Sequence, residues 1–174
     1  DHEAVQVQAG TLSLNRNLCW VDAWAFERVL DKADDLWKKA HGKEVNNAAC
    51  EMTARALELY RGPYFEEEVW NPDAVSMGER MKERYFRSLY QLSDHLSEKG
   101  QWEKAREYLE AGLGVDDCDE GCYRRLMACL THLGKKPEAI SVFKRCKRML
   151  EAKLDADPSP QTEAIAKSIR SESA

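Results

Sequence analysis

The hydrophobic and polar positions between residues 89 and 150 repeat at an interval of 34 residues. The aligned pairs are Leu89 with Tyr123, Leu92 with Leu126, Leu96 with Leu130, Gly100 with Gly134, Ala105 with Ala139, and Leu109 with Phe143. Within each copy the apolar residues recur at helical spacing, stop at a glycine, and then resume. The pattern therefore predicts two copies of a helix, a short turn and a second helix.

An interval of 34 residues is typical of tetratricopeptide (TPR) helix pairs. Ala105 and Ala139 each lie five residues after the glycine of their copy. We expect each alanine to lie where the second helix crosses the first, because a larger side chain there would push the two backbones apart. The repeat predicts an architecture, and it says little about what that architecture binds.

Helical periodicity extends over most of the remaining chain. The predicted helices cover residues 22–41, 44–61, 72–99, 102–112, 119–133, 137–154 and 160–169. Asp22 and Asp119 have the short acceptor side chain that an N-cap requires, and Gly62-Pro63 ends the second helix. We expect an all-α, TPR-like, right-handed superhelical array of about seven helices.

A different periodicity opens the chain. Residues 4–14 alternate between apolar and polar, with Val5 and Val7 before Ala9-Gly10 and with Leu12 and Leu14 after it. Strict alternation around a short turn predicts a β-hairpin. A hairpin of this size is marginally stable by itself, so we expect it either to pack on the helices that follow or to be the end of a domain that lies before Asp1.

Composition limits the class of protein. The chain has 174 residues, of which 43% are hydrophobic and 33% are charged, and these values are typical of a globular domain. The sequence contains neither an apolar run of about 20 residues nor an N-terminal pattern of charged and then apolar residues. We therefore expect a cytoplasmic protein that does not enter a membrane.

The candidates for chemistry are few. Cys122, Cys129 and His132 share a helical face, so they are the candidate zinc ligands, but no CxxC pair accompanies them and core packing is the simpler interpretation for the cysteines. The sequence contains no phosphate-binding GxxxxGKS/T loop, no GxGxxG and no GxSxG. We expect no cofactor, no metal site and no catalytic activity.

Charge is distributed unevenly. Residues 121–153 contain nine Lys or Arg against two Glu, although the whole chain has a net charge of −5. The candidate partner-binding residues are Arg124, Arg125, Lys144, Arg145, Lys147 and Arg148. One interpretation is a basic face for an acidic partner, such as a polymerase subunit, a neighbouring domain or nucleic acid. The other is that these residues form the solvated side of helices whose apolar residues face inward.

Five separated segments resemble one protein family. They are VDAWAFE at 21–27, LELYRGP at 57–63, DEGCYRRLM at 119–127, LGKKPEAI at 133–140 and DPSPQT at 157–162. Together they resemble the bacterial transcriptional activator domain, the helical-repeat part of antibiotic-regulatory-protein (SARP) type regulators and of large ATP-dependent regulators. The agreement of several motifs in order is more specific than any one of them.

This resemblance implies a two-part organisation. Residues 1–20 resemble the wing hairpin that closes a winged helix-turn-helix domain, and residues 21–174 resemble the activator domain. The DNA recognition helix would then lie upstream of Asp1. The implied partners are DNA, through that upstream domain, and RNA polymerase, another domain of the same protein or a second copy of the chain. The alternative function is a general TPR-type peptide-binding adaptor unrelated to transcription.

Overall fold

A computed structural model describes residues 4–8, 10–15, 18–39, 47–62 and 72–171. These residues contain two β-strands and seven α-helices, as the sequence patterns predict. The strands are β1 (Val5–Gln8) and β2 (Thr11–Leu14), and the helices are α1 (Asp22–Lys39), α2 (Asn47–Leu59), α3 (Pro72–Glu98), α4 (Trp102–Val115), α5 (Glu120–His132), α6 (Lys136–Leu154) and α7 (Pro160–Ser171). The predicted start of α2 at residue 44 lies outside the described residues.

The chain divides into two compact units, Asp1–Tyr64 and Phe65–Ala174. In the first unit, β1 and β2 form an antiparallel hairpin in which Val5 pairs with Leu14 and Val7 pairs with Leu12. Directly opposed residues project from the same face of a sheet, so these four apolar side chains share one face. All four are exposed, Val7 and Leu12 to 70% and 71%.

The same unit contains the packed pair α1 and α2. The Phe26 and Tyr60 rings lie 5.4 Å apart between centroids, and both side chains are buried. The indole nitrogen of Trp37 donates a 2.9 Å hydrogen bond to the hydroxyl of Thr53, which donates in turn to the Ala49 carbonyl oxygen at 2.8 Å. The buried Thr53 hydroxyl therefore has both an acceptor and a donor.

The second unit contains the two repeats. Gly100 and Gly134 occupy the left-handed region at φ 72° and 74°, so the turns of the two helix pairs have the same backbone conformation. The Gln101 N–H donates to the Leu96 carbonyl, and the Lys135 N–H donates to the Leu130 carbonyl, both at 2.8 Å. Both bonds belong to the Schellman motif, in which the residue after a left-handed glycine donates to the carbonyl five residues earlier and ends the helix. Because the same motif recurs 34 residues later, it confirms the predicted repeat interval.

Burial follows the same interval. The pairs Leu89 and Tyr123, Leu92 and Leu126, Leu96 and Leu130, and Leu109 and Phe143 are all buried. Ala105 and Ala139 are completely buried, as expected for residues at helix crossings. The α3–α4 pair and the α5–α6 pair therefore bury equivalent positions.

One close approach was not recognised in the sequence pattern. A Cβ atom on Gly112 would clash with the Leu89 side chain and lie 3.0 Å from the Cys122 sulfur, so only glycine allows α4 to approach both α3 and α5 this closely. The position 34 residues later is Cys146, a small side chain that is also fully buried. The repeat therefore keeps a second small position in the second helix of each pair.

The first helix of each pair contacts the next one along the chain. Helix α5 packs against both α3 and α7, and α7 also contacts α6. α3, α5 and α7 consequently form one layer, with α4 and α6 as the second helices of the two pairs.

Candidate protein-interaction site

The six basic residues singled out in the sequence do not have the same surroundings. In α5, the Arg125 guanidinium makes two hydrogen bonds to the Asp94 carboxylate, at 2.8 and 2.9 Å, and lies 4.1 Å from the centroid of the Tyr90 ring. Paired bonds of this kind hold a side chain in one orientation. Arg125 therefore joins α5 to α3.

Arg124 joins α5 to α7. Its Nη1 atom donates a 3.1 Å hydrogen bond to the Thr162 hydroxyl and lies 3.9 Å from the Glu120 carboxylate. The Glu120 oxygen Oε2 also accepts hydrogen bonds from the Ser159 N–H at 2.9 Å and from the Ser159 and Thr162 hydroxyls at 2.8 and 2.5 Å. We name Glu120, Arg124, Ser159 and Thr162 the α5–α7 polar cluster.

The other four basic residues lie in α6 and are exposed. Lys147 forms an ion pair with Asp157 at 3.1 Å. Lys144 and Arg148 have no ion pair with any residue that the structure describes, and the Arg145 guanidinium lies 5.9 Å from the centroid of the Tyr123 ring. We name Lys144, Arg145 and Arg148 the basic α6 face. Phe143, Cys146 and Leu150 anchor the opposite side of the helix in the core.

The candidate zinc ligands do not assemble. Cys122 and Cys129 are buried, whereas His132 is exposed and stacks on Trp102 with the ring centroids 4.0 Å apart. Burial is the largest cause that raises the pKa of both thiols, and it favours the neutral thiol over the thiolate that zinc requires. The two cysteines therefore serve as small core residues.

Among the described residues, Asp116, Asp117 and Cys118 can bring their ligand atoms close together. Both carboxylates already have cationic partners, because Lys82 pairs with Asp116 at 2.7 Å and Lys153 pairs with Asp117 at 2.8 Å. Burial and the adjacent Asp117 carboxylate raise the pKa of Cys118. These residues thus hold the turn between α4 and α5 against α3 and α6.

Two neighbouring pockets lie along the layer of α3, α5 and α7. We name the first, of about 460 Å³, the α3–α5 groove. It is lined by Glu79, Lys82, Glu83, Phe86, Arg87, Tyr90, Asp116 and Asp119. The second, of about 600 Å³, lies beside the N-terminal ends of α5 and α7 and shares Tyr90 and Asp119 with the first. Both volumes are in the range of ligand-binding clefts.

Tyr90 and Asp119 form the boundary between these pockets. The Tyr90 hydroxyl donates a 2.5 Å hydrogen bond to Asp119, and the same carboxylate oxygen accepts the Cys122 N–H at 2.6 Å. Asp119 is thus the N-cap of α5, as predicted. Burial and Asp119 raise the pKa of Tyr90, which therefore remains a neutral donor. A Cβ atom on Gly121 would collide with the Tyr90 hydroxyl, so glycine is required beside this bond.

Sequence reasoning did not find the α3–α5 groove or the α5–α7 polar cluster. The available signals were Glu79 and Glu83 four residues apart on a predicted helix, and the motif DPSPQT before the last helix. Neither signal identifies a partner, because Tyr90 and Asp119 lie 29 residues apart in the chain and Glu120 and Thr162 lie 42 apart.

The helices and their repeat define a TPR-like helical-repeat module. A family model described as the bacterial transcriptional activator domain matches residues 21–170. The chain belongs to this family, and it is a module of transcriptional activators. This confirms the resemblance found in the sequence. No helix in the described part of the chain is long and apolar enough to cross a membrane.

Solved structures of other proteins have a similar fold. The Hsp90 co-chaperone Cns1 of Saccharomyces cerevisiae superposes with a TM-score of 0.57 at 13% identity, over 89% of this chain and 41% of that chain. The C-terminal TPR-containing domain of a Plasmodium falciparum protein described as FK506-binding gives a TM-score of 0.54 at 13% identity, over 88% and 93% of the two chains. Comparison with curated protein sequences returns no match.

At 13% identity these similarities establish the fold alone. The chain spans less than half the length of the yeast co-chaperone chain. The TPR-like, all-α class expected from the 34-residue interval is therefore confirmed, and the function has to be argued from the family and from the surfaces described above.

Proposed function

We propose that this chain is the regulatory and protein-interaction module of a bacterial DNA-binding transcriptional activator. It relays a signal or a contact between copies to a winged-helix domain that precedes it in the full protein. The observation that carries this proposal is the family match, which begins at residue 21 and leaves the hairpin outside. Residues 1–20 are then the end of the upstream domain, and residues 21–174 are the activator domain.

The exposed face of the hairpin supports this division. Val5, Val7, Leu12 and Leu14 form an apolar face on a two-stranded sheet, and Trp20 is exposed to 70%. A hairpin of two short strands needs further packing to be stable in water. A winged-helix domain upstream would supply that packing, with the hairpin as its wing.

The side chains of the module support an interaction role rather than catalysis. Burial raises the pKa of the Cys146 thiol to about 12, so this thiol is a poor nucleophile at neutral pH. The polar groups of the α5–α7 polar cluster bond to one another. The exposed cations of the basic α6 face remain available to an acidic surface, such as a polymerase subunit or a neighbouring domain.

The basic α6 face gives a prediction for the full-length activator. Replacing Arg145 and Arg148 with alanine should leave folding intact, because both side chains are exposed, and should weaken promoter activation about threefold to tenfold. Reporter output in cells measures the effect. The matched control replaces the exposed Lys99 and Lys104 with alanine, which removes the same charge elsewhere. Wild-type output from the Arg145 and Arg148 variant would show that this face is only a solvated surface.

The division into two parts gives a second prediction. In gel-shift assays the 174-residue chain should bind promoter DNA and random DNA of equal length equally weakly, because the proposed recognition helix lies outside it. The full-length activator should prefer its promoter by at least about a thousandfold over random DNA. A clear promoter preference of the 174-residue chain would contradict the proposed organisation.

A further inference from the structure

Aromatic and charged side chains line the α3–α5 groove. The rings of Phe86 and Tyr90 lie 6.1 Å apart between centroids, and both residues line the groove. Glu79 and Glu83 line it from α3, and Asp116 and Asp119 line it from the turn before α5. A cleft lined by apolar rings and a few charged groups suits a ligand that is apolar along one part and charged at another.

Four carboxylates and two basic side chains line the groove. Some of these charges are already compensated within the fold. Lys82 pairs with Asp116 at 2.7 Å, and Asp119 accepts hydrogen bonds from Tyr90 and from the Cys122 N–H. Lys82, Asp116 and Asp119 therefore define the shape of the groove, but their charges are already used within the fold.

Two carboxylates remain available to a partner. Glu79 and Glu83 have no ion pair with any residue in the described ranges, and they lie one helical turn apart on α3. Arg87 follows one turn later, and it too has no ion pair in those ranges. Along this side of α3, the charges without an ion pair are thus negative at Glu79 and Glu83 and positive at Arg87, one turn closer to the C-terminal end of the helix.

We propose that the α3–α5 groove binds an extended segment of a partner protein in which an arginine or lysine neighbours an apolar residue. The cation lies against Glu79 and Glu83, and the apolar side chain lies over Phe86 and Tyr90. Charge complementarity selects this partner, because an acidic segment would meet two uncompensated carboxylates. This binding goes beyond the proposed role in transcription and does not require the upstream domain.

Anisotropy measurements with fluorescein-labelled ten-residue peptides test this inference. The probes are a peptide of alternating arginine and leucine, one of alternating glutamate and leucine, and one of alternating arginine and serine. The arginine–leucine peptide should bind the 174-residue chain in a saturable way below about 1 mM. The glutamate–leucine peptide should not bind, and the arginine–serine peptide should bind at least about threefold more weakly because it lacks apolar side chains.

A variant with Glu79→Gln and Glu83→Gln should weaken binding of the arginine–leucine peptide about tenfold, since each exposed ion pair contributes up to about fivefold. The control variant, Glu98→Gln with Glu107→Gln, removes two exposed carboxylates of α3 and α4 that do not line the groove and should bind like the wild type. Circular dichroism spectra verify that both variants fold. Chemical shift changes in ¹⁵N spectra should centre on α3 and on the turn before α5.

Three outcomes would overturn the inference. They are no saturable binding of the arginine–leucine peptide, equal loss of binding in the two variants, and chemical shift changes that centre elsewhere in the chain. Failure of these tests would leave the transcriptional role intact, because that role depends on reporter output and on promoter binding by the full-length protein. Conversely, failure of the reporter assay would leave the peptide site intact.

Discussion

Replacing Glu120 with alanine is expected to lower the free energy of unfolding by about 2 kcal/mol and to release α7 from the rest of the second unit. One carboxylate oxygen of Glu120 accepts three hydrogen bonds from Ser159 and Thr162. Thr162 is completely buried, and without Glu120 its hydroxyl would lose its 2.5 Å acceptor and keep only a longer contact, 3.2 Å, with the Ser159 hydroxyl. The carboxylate also lies at the N-terminal end of α7, where a negative charge is favourable.

Urea unfolding and amide hydrogen exchange measure this effect. Exchange should accelerate most in α7, because the lost bonds hold that helix to α5. The control is Glu107→Ala, which removes an exposed carboxylate from α4 and should change stability by less than about 0.5 kcal/mol. If Glu120→Ala also lowered the free energy of unfolding by less than about 0.5 kcal/mol, the α5–α7 polar cluster would contribute little to stability.

The pH dependence of stability in a second variant, Glu120→Gln, gives an independent measurement. Burial raises the pKa of Glu120, but the hydrogen bonds from Thr162 and Ser159 together with Arg124 outweigh it, and the net shift is downward. A carboxyl group whose pKa is lowered by folding stabilises the protein above its unfolded pKa of about 4.3, and this contribution disappears as the pH falls through the folded pKa. The stability difference between wild type and Glu120→Gln should therefore be constant near pH 7 and shrink below about pH 4.

Replacing Ala105 with leucine should lower the free energy of unfolding by about 1 to 3 kcal/mol. The side chain of Ala105 is completely buried where α4 packs against α3, so three additional carbon atoms would force the helices apart. Ala139 occupies the equivalent position of the second repeat and is also completely buried. Ala139→Leu should therefore cost a similar amount, measured by thermal or urea unfolding.

The control for this prediction lies on the same helix. Ala111 is exposed, so Ala111→Leu makes the same chemical change without overpacking and should cost less than about 0.5 kcal/mol. Equal stability of the Ala105→Leu and Ala111→Leu variants would contradict the assignment of Ala105 to the helix crossing. Equal costs at positions 105 and 139 would show that the two repeats are energetically equivalent as well as similar in structure.

The helices could be predicted because their signals are local. The interval between Gly100 and Gly134, the N-cap at Asp119 and the spacing of apolar residues are each determined within a few residues of the chain. These features predicted the seven helices and the buried alanines, and the structure confirms them. The separated motifs also indicated the family that the comparison then showed.

The candidate site could be predicted only in part. The sequence grouped six basic residues from their proximity in the chain and from their charge, but it could not determine which of them already had partners. Arg125 contacts Asp94 from 31 residues away, and Arg124 contacts Thr162 from 38 residues away. The group predicted from the sequence therefore mixed two kinds of residue. The residues of the basic α6 face are exposed, whereas Arg124 and Arg125 hold α5 to its neighbouring helices.

The sequence by itself determined the helices and their repeat, because helix formation and the burial of an apolar stripe depend on neighbours three and four positions away. The family followed from the resemblance of five separated motifs. Only the tertiary structure decided which charges remain available to a partner, and only it brought Asp116 and Asp119 beside Phe86 and Tyr90 in one groove. The physical reason is that an ion pair or a cleft depends on how separate helices pack against one another, and that packing brings together residues about 30 to 40 positions apart in the chain.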